Sequence, residues 1–245
     1  MTPADATIRA LPDTDPLITI VVPAKDEEPT IAQVLELLLA LPWRLEIIVI
    51  DDGSVDGTVP IVERAAAEHP QIQLLRHPVN RGKGAAVRTG IAASTGDYLL
   101  IQDADLEYDP TDLPRIFAPL FKGVADVVFG TRLRGGEPQR AHLFWHYAGN
   151  RFLSLLTNVL YNTTISDMEV GYKAFKGDLI RSITLVSDDF AFEPEVTAKV
   201  LRRHVRLYEV PISYYGRTYE EGKKITWRDG VGAVRALIRF RFGPL

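Results

Sequence analysis

Two aspartates, Asp103 and Asp105, stand one residue apart directly after the apolar segment 97–102. An apolar run of this length predicts a buried strand, and open α/β sheets bind ligands beyond the carboxyl ends of their strands. Two ionised carboxylates at such an end repel each other unless a cation or hydrogen bonds offset their charge. Mg²⁺ and Mn²⁺ prefer oxygen ligands, and Mg²⁺ is commonly held by one or two carboxylates together with substrate phosphates. The pair therefore predicts a divalent metal and a phosphate-bearing ligand; the alternative is a solvated acidic turn that caps a helix beginning near Asp109.

Two other predicted strands also end in polar residues. The first ends in segment 23–27, and the second ends in segment 51–54, which begins with two aspartates. Because parallel strands place their carboxyl ends at one edge of a sheet, all three acidic segments are expected at that edge. We interpret Asp52 as a ligand of a nucleobase or a ribose hydroxyl, as an acidic residue is in dinucleotide-binding folds. Turn and N-cap chemistry accounts for the acidic segment 56–58 that follows.

The glycine-rich segment 80–84 precedes a predicted helix over 85–93, and its glycines allow the backbone to approach a ligand closely. The segment lacks the Walker spacing, and Val87 occupies the last glycine position of the dinucleotide pattern. These mismatches disfavour an NTPase and a dehydrogenase. The segment from Asp103 to Glu107 begins like a calcium loop, but Tyr108 stands where such loops need glycine.

Apolar runs and helical spacing alternate along the first half of the chain. Strands are predicted at 18–22, 46–50, 72–75, 98–101 and 125–129. Between the first two, Ile31, Val34, Leu35 and Leu38 follow the i, i+3, i+4, i+7 spacing of a helix. Further predictions are a helix ending near Tyr161, a helix at 193–203, a strand at 206–210 and a C-terminal helix from about Ile225. This alternation predicts an α/β fold with a mainly parallel sheet covered by helices on both faces.

Length and composition are those of an ordinary globular protein. The 245 residues fit one large domain or two small ones, with 46% hydrophobic and 24% charged residues. We expect a flexible lead-in over 1–16 and one domain over 17–245, divided into a nucleotide-binding half (17–132), an acceptor half (133–224) and the final helix (225–245).

The net charge of −4 disfavours a nucleic-acid binder, which usually carries a basic excess. The absence of cysteine excludes disulfides and thiolate metal sites. Together with the lack of an apolar secretory segment at the N-terminus, it favours the cytoplasm. No uninterrupted apolar stretch reaches the roughly 18 residues that a membrane span needs.

Eight sequence blocks together carry a family resemblance. They lie at 21–27, 49–54, 80–84, 102–107, 130–132, 167–173, 192–195 and 215–224. In these blocks the chain resembles the inverting glycosyltransferases of family two with the GT-A fold. Within that family it is most similar to the polyprenyl-phosphate (dolichyl-phosphate-type) mannose or glucose synthases.

The resemblance implies a GT-A type, Rossmann-like, mainly parallel sheet flanked by helices, with a helical extension on the acceptor side. It implies metal-assisted inverting transfer of a hexose from a GDP-mannose or UDP-glucose type donor to a polyprenyl phosphate, with Mg²⁺ or Mn²⁺ as cofactor. The nucleotide would be lined by Pro23, Ala24, Glu27, Asp52, Lys83, Asp103, Ala104 and Lys224. Asp103, Asp105 and Glu107 would bind the metal, and Arg132, Arg151 and Ser154 would hold the acceptor phosphate. Asp105, Arg132 and Arg217 would carry catalysis, with Arg217 and Lys224 closing over the diphosphate. For Arg151 and Ser154 the alternative is an ordinary helix face.

The identity of the acceptor stays open. A phosphate is already ionised at pH 7 and attacks without a base, whereas a hydroxyl group needs one, and Asp167 and Glu169 are the nearest candidates. The basic residues Arg132, Arg134 and Arg151 favour the phosphate. A hydroxyl acceptor, soluble or polysaccharide, is the nearest alternative. A nucleotidyltransferase is disfavoured because the segment after the first strand is not glycine-rich. A catalytically silent nucleotide-sugar binding subunit is disfavoured because the charged site residues are all retained.

The C-terminal helix has an apolar stripe beside a row of arginines. The stripe contains Trp227, Val231, Val234, Ile238 and Phe242, and the row contains Arg228, Arg235 and Arg239. This pattern is typical of an interfacial helix whose cationic groups reach anionic lipid, which would place the chain at the cytoplasmic face of a membrane. The alternative is that the stripe packs on the catalytic core.

Overall fold

A computed structural model describes residues 15–135, 144–216 and 227–243, with the side chains of the last segment described from residue 230 onward. The described strands are β1 (Leu17–Ala24), β2 (Arg44–Asp51), β3 (Ile72–Arg76), β4 (Tyr98–Ile101), β5 (Val127–Thr131), β6 (Lys173–Lys176) and β7 (Leu207–Pro211). The described α-helices are α1 (Ile31–Leu39), α2 (Thr58–Glu68), α3 (Lys83–Ala93), α4 (Leu113–Phe121), α5 (Phe144–Tyr161), α6 (Gly177–Arg181), α7 (Phe192–Leu201) and α8 (Trp227–Phe242), and a 3₁₀ turn spans Pro110–Asp112.

The strands form one sheet in the order β3-β2-β1-β4-β6-β5-β7. Strands β1 to β4 pair in parallel, and β7 is parallel to β5. Strand β6 is antiparallel to both of its neighbours. The predicted mainly parallel α/β sheet is therefore confirmed, and six of its strands lie within two residues of their predicted positions.

The antiparallel strand β6 was not predicted. It is only four residues long, and two of the four are lysines, so it has no apolar run. Its direction matters for the site. Because β6 runs against β4 and β5, the segment that precedes it arrives at the same edge of the sheet at which β4 and β5 end.

Consecutive side chains of β1 from Ile18 to Val22 are all buried. Since successive residues of a strand point to opposite faces, both faces of the sheet are covered. Helix α1 buries the four predicted apolar residues of its stripe. An aromatic cluster of Trp43, Tyr98, Phe117 and Phe121 fills the space beside α4 with edge-to-face and stacked contacts.

Three of the four stripe residues whose side chains are described on the C-terminal helix do not pack on the core. Helix α8 buries the opposite face, with Ala233, Ala236, Leu237 and Phe240 against α5 and α7. Within the stripe, Val234 is half-buried, whereas Val231, Ile238 and Phe242 are exposed. The interpretation that the stripe packs on the core is therefore wrong for these three residues.

In the described ranges, no helix is both long enough and apolar enough to span a bilayer.

Candidate active site

The predicted aspartate pair lies in a tight turn directly after β4. Between Asp105 and Glu107, Leu106 adopts a φ of 60°, a left-handed conformation that costs free energy for a residue with a side chain. The amide of Glu107 donates to Asp105 Oδ1 at 3.1 Å. The buried Gln102 donates from its side-chain nitrogen to the Asp103 carbonyl at 2.9 Å. The turn is thus fixed from both sides, which holds its two carboxylates at the carboxyl edge of the sheet.

Lys83 begins α3 and reaches the aspartate turn. Its Nζ lies 2.7 Å from Asp103 Oδ1 and 3.5 Å from Glu193 Oε1. Burial lowers the pKa of Lys83, but the Asp103 and Glu193 carboxylates outweigh that effect and raise it above its usual value. Lys83 is therefore a permanent cation beside the carboxylate pair.

The glycine-rich segment is held by Asp52 on one side and by residues 187–189 on the other. Asp52 Oδ1 accepts from the amide of Arg81 at 2.8 Å, and Oδ2 accepts from the amide of Gly82 at 2.7 Å. Gly82 has a φ of 94°, and a Cβ there would lie 2.4 Å from the Asp188 carbonyl oxygen. Glycine is needed at this position for both reasons. The buried carboxylate of Asp52 thus holds this segment, while its predicted contact with a nucleotide stays a prediction.

The end of β1 packs directly against these elements. Ala24 pairs with Asp51 in the sheet, and its carbonyl accepts from the amide of Asp52 at 2.9 Å. Glu27 is buried, and its amide donates to Thr58 Oγ at 2.9 Å. The hydroxyl of Thr30 donates to the carbonyl of Ala104 at 2.7 Å, which joins this segment to the aspartate turn.

The carboxyl ends of β1, β2 and β4 therefore meet, and the structure brings these predicted nucleotide and metal residues to one edge: Pro23, Ala24, Glu27, Asp52, Lys83, Asp103, Ala104 and Asp105. A depression of about 360 Å³ opens beside Asp52, lined by residues at and just after the carboxyl ends of β2 and β3, including Asp51, Gly53 and His77. Arg217 and Lys224 lie outside the described residues.

On the acceptor side, Arg132 follows β5 and forms a buried ion pair with Asp167. Its Nε and Nη2 donate to the two Asp167 oxygens at 2.7 and 2.8 Å, and its amide also donates to Asp167 Oδ2 at 3.0 Å. Burial raises the pKa of Asp167, but Arg132 more than offsets this and holds the pKa below its usual value. Burial lowers the pKa of Arg132, but Asp167 raises it well above the ordinary range. Asp167, predicted as a candidate base, is the ionised partner that fixes Arg132, and its role as a base stays a prediction.

An aromatic bridge connects the aspartate turn to this ion pair. The Tyr214 hydroxyl donates to Glu107 Oε2 at 2.8 Å, and the Arg132 guanidinium lies over the Tyr214 ring at 5.0 Å. Tyr108 stacks on Tyr172 at 4.8 Å between ring centroids. Glu107, predicted as a third metal ligand, thus has a tyrosine partner. Across the described ranges, no group of three acidic or histidine side chains is placed to hold a metal ion.

Arg151 and Ser154, predicted to hold the acceptor phosphate, lie differently on α5. Ser154 is buried, and its hydroxyl accepts from the amide of Met168 at 3.1 Å. Asn150 on the same helix donates to Asp167 Oδ1 at 3.1 Å. Arg151 is exposed. The inner face of α5 therefore supports the segment that carries Asp167, and its contact with an acceptor stays a prediction.

Glu193, Lys173 and Glu169 complete the site. The Lys173 ammonium is fully buried, donates to Glu193 and to the carbonyls of Met168 and Val170, and lies 5.1 Å from the centre of the Phe129 ring. Glu193 therefore contacts both Lys83 and Lys173. It also stands in the first turn of α7, where a carboxylate is favoured by the helix dipole. In the sequence, Lys173 and Glu193 stood only within the resemblance blocks 167–173 and 192–195, and no role was predicted for either.

Glu169 is the least satisfied of these carboxyl groups. Its Oε1 is buried and accepts no hydrogen bond within the described part of the chain. Burial, followed by the Glu193 carboxylate, raises the pKa of Glu169 to about 7, against the lowering influence of Lys173 and Arg132. A pKa near 7 suits a group that exchanges a proton at neutral pH.

A mainly parallel sheet that brings a carboxylate pair, a glycine-rich helix start and an anchored arginine to one edge defines the class of GT-A transferases. The family model "Glycosyl transferase family 2" matches residues 19–184. The chain therefore belongs to glycosyl transferase family 2.

Two curated relatives show which members of the family this chain is similar to. It is 30% identical over 233 residues to the low-salt glycan biosynthesis hexosyltransferase Agl6 of Haloferax volcanii, covering 92% of this chain and 54% of that protein. It is 31% identical over 190 residues to the undecaprenyl-phosphate mannosyltransferase of Micrococcus luteus, covering 73% of this chain and 75% of that protein. The chain thus spans about half the length of the first relative and three quarters of the second.

The glucosyl-3-phosphoglycerate synthase of Mycobacterium tuberculosis shares the fold. Its complex with Mn²⁺, UDP-glucose and phosphoglyceric acid superposes with a TM-score of 0.76 at 19% identity, covering 100% of this chain and 86% of that chain. This likeness confirms the GT-A type sheet.

Proposed function

We propose that this chain transfers a hexose from a nucleotide sugar to a polyprenyl phosphate with inversion at the anomeric carbon. The observation that supports it most is the meeting of two charged groups at one sheet edge: the carboxylate pair after β4 and the anchored Arg132 after β5. The two strands are separated by β6 alone, so their axes are roughly 10 Å apart. That spacing leaves room for a sugar between a donor diphosphate and an acceptor phosphate.

Asp103 and Asp105 would hold a divalent cation, Mg²⁺ or Mn²⁺. The donor set fits such an ion because carboxylates outnumber cations at this edge: Asp103, Asp105, Glu107, Asp167, Glu169 and Glu193 face Lys83, Arg132 and Lys173. Two protein carboxylates completed by substrate phosphate oxygens are a common Mg²⁺ arrangement. Such an ion, when bound, stabilises the leaving nucleoside diphosphate as a Lewis acid. Glu107 would leave its tyrosine partner to become a third ligand.

Lys83 and the glycine-rich segment would position the diphosphate. The Lys83 ammonium stands beside Asp103, so it can interact with the same phosphates that a cation there would contact. Asp52 fixes the backbone of residues 81 and 82, which allows close approach of the main chain to the donor. Pro23, Ala24, Glu27 and Ala104 would line the nucleotide. Arg217 and Lys224 are proposed to close over the diphosphate.

Arg132 would hold the acceptor phosphate. Asp167 occupies its Nε and one Nη2 hydrogen and fixes the plane of the guanidinium, while the remaining N–H groups can donate to an anion. An ionised phosphate needs no base, so this acceptor is compatible with Asp167 serving only as the anchor of Arg132. Arg151 and Ser154 would assist only if α5 presents them to the acceptor.

A hydroxyl acceptor is the second candidate, and Glu169 is the observation that favours it. A buried carboxyl with a pKa of about 7 is suited to take a proton from an attacking hydroxyl group. In that case Glu169, and not Asp167, would be the base.

The membrane location belongs to the same proposal. The exposed Val231, Ile238 and Phe242 of α8, together with the exposed Arg235 and Arg239, would let the chain rest on the cytoplasmic face of a membrane as a peripheral protein.

The test incubates pure protein with GDP-mannose or UDP-glucose, Mn²⁺ or Mg²⁺, and a short polyprenyl phosphate. Release of nucleoside diphosphate that depends on the lipid phosphate supports the proposal. Transfer that proceeds equally with a soluble hydroxyl acceptor supports the second candidate. Donor binding with no release would refute both and indicate a silent binding subunit.

A further inference from the structure

The outward face of α5 is apolar along its whole length. Trp145, Phe152, Leu155 and Val159 are 81%, 57%, 62% and 73% exposed. Their spacing of seven, three and four residues places them on one side of the helix. Phe144 is exposed beside them. A continuous exposed apolar stripe is uncommon on a soluble protein and marks a surface that contacts something else.

The opposite face of α5 packs against the rest of the protein. Leu153, Ser154 and Thr157 are buried, and Tyr161 donates to the Leu237 carbonyl of α8 at 2.7 Å. The inner face of the helix therefore already supplies the packing that stabilises it. The outer stripe, which we call the α5 stripe (Trp145, Phe152, Leu155, Val159), contributes nothing to that packing.

We propose that the α5 stripe is a membrane-docking surface that inserts into the interfacial region of an anionic bilayer. This inference rests on the proposed function and deepens it, because it assigns the surface that brings the transferase to its lipid acceptor. It adds a second helix to the contact expected of α8.

The charges near the α5 stripe favour an anionic bilayer as its binding partner. The 18 residues of α5 contain no aspartate or glutamate, and Arg151 stands exposed at the edge of the α5 stripe. On the neighbouring α8, Arg235, Arg239 and Arg241 are exposed. The side chains described on α5 and α8 thus include four arginines and no carboxylate, in a chain whose net charge is −4. Apolar side chains rimmed by arginines are the composition of a helix lying in the plane of an anionic bilayer.

The aromatic residues agree with this occupant. Phe144 and Trp145 are exposed next to each other at the start of α5. Tryptophan and tyrosine favour the boundary between headgroups and acyl chains, because one end of the ring system is apolar and the other is polar.

The inner face of the same helix connects the surface to the site. Asn150 and Ser154 contact Asp167 and Met168, the segment that anchors Arg132. A helix with its side chains is about 10 Å across. A bilayer on the outer face would therefore lie about one helix diameter from the segment that holds the acceptor arginine, a distance that a lipid headgroup can cover.

The test measures binding of the full chain to phosphatidylcholine–phosphatidylglycerol vesicles that contain no polyprenyl phosphate. The double variant Leu155→Gln/Val159→Gln removes two exposed apolar side chains and keeps a good helix former at both positions. We expect its vesicle partition coefficient to fall about tenfold. The matched control, Val124→Gln/Tyr208→Gln, removes two exposed side chains that belong to neither α5 nor α8, one in the turn before β5 and one on β7, and should bind as the wild type does. Equal binding by all three proteins would overturn the proposal.

Two further measurements distinguish insertion into a bilayer from electrostatic adsorption and from dimerisation. Fluorescence of Trp145 should be quenched by bromine-labelled acyl chains, and Trp145→Phe identifies which part of the signal it carries. Binding that is lost entirely at high salt, with no quenching, would show adsorption by the arginines alone and overturn insertion. A wild type that is dimeric in solution and a stripe variant that is monomeric would show that a second copy covers the α5 stripe, which also overturns the proposal.

The failure of docking is distinguishable from the failure of the proposed function. Transfer to a short, water-soluble polyprenyl phosphate does not need a bilayer, so Leu155→Gln/Val159→Gln should retain it while losing activity on acceptor embedded in vesicles. A stripe variant that keeps full activity on embedded acceptor would contradict docking alone. A wild type that binds vesicles but never transfers would contradict the proposed function alone.

Discussion

Replacing Asp52 by asparagine tests how the glycine-rich segment is held. The carboxylate accepts from the amides of Arg81 and Gly82 on its two different oxygens, at 2.8 and 2.7 Å, and His77 Nδ1 lies 2.7 Å from the first oxygen. An asparagine side chain has one oxygen and an NH₂ group that cannot accept. Whichever way it turns, one of the two backbone amides loses its acceptor.

The structure sets the size of the effect. A hydrogen bond to a charged group contributes about 1.5–3 kcal/mol, and Asp52 is buried, so solvent does not screen the loss. That range corresponds to roughly a ten- to hundredfold increase in the open population of the segment. If only the closed segment binds the donor, the apparent Kd for a nucleoside diphosphate rises by the same factor.

Amide hydrogen exchange at residues 81 and 82 measures the opening, and calorimetry measures the Kd. Asp51→Asn is the matched control. In the described contacts Asp51 Oδ1 accepts from the amide of Ser54 at 3.1 Å, a single bond that an asparagine oxygen can keep. It should leave exchange at residues 81 and 82 unchanged. The reasoning is refuted if Asp52→Asn weakens nucleotide binding without faster exchange, since the carboxylate would then contact the nucleotide directly.

Three further predictions follow from the same edge. Asp105→Ala should reduce transfer between about 30-fold and 1000-fold, because a leaving-group charge loses about 2–4 kcal/mol of stabilisation; a near-normal kcat would contradict the metal role. Asp167→Asn should lower the free energy of unfolding by about 3–5 kcal/mol, because it leaves the Arg132 guanidinium buried without a counter-charge; urea titration measures this, and a loss below about 1 kcal/mol would count against it. Glu169 binds its proton more tightly when folded than its usual pKa of 4.5 allows, so its contribution to stability is present below pH 4.5 and is lost as the pH rises to about 7. Glu169→Gln should therefore be more stable relative to wild type at pH 8 than at pH 5, and an equal difference at both values would show that Glu169 does not titrate in this range.

The sheet could be predicted from the sequence because most of its strands are apolar runs of ordinary length. Strand β6 could not, since two of its four residues are lysines, and the buried Lys173 finds its counter-charge, Glu193, twenty residues further along the chain. The hydrophobic periodicity of the sequence cannot reveal a partner that far along the chain. For the same reason the sequence indicated Asp167 as a base, whereas its tertiary contact with Arg132 makes it an ionised anchor.

The candidate site was predictable where residues follow strand ends. Asp103 and Asp105 lie at the edge at which the parallel strands end, together with Lys83. Which face of each helix packs on the core could not be predicted. The apolar stripe of α8 was visible in the sequence, but small residues such as Ala233 and Ala236 form its buried side, because they let the helices approach closely. Which stripe faces the core depends on the neighbouring helix and not on hydrophobicity alone.

The central claim is that Arg132 and the aspartate turn serve transfer to a phosphate, and the chemical nature of the product tests it most directly. The experiment incubates wild-type protein with a nucleotide sugar, Mn²⁺ and equal amounts of a short polyprenyl phosphate and the matching polyprenol. Mass spectrometry then identifies the lipid products by their masses. The account predicts a hexosyl polyprenyl phosphate that is lost in the Asp105→Ala variant. A hexosyl polyprenol, or a product that forms equally in that variant, would contradict it.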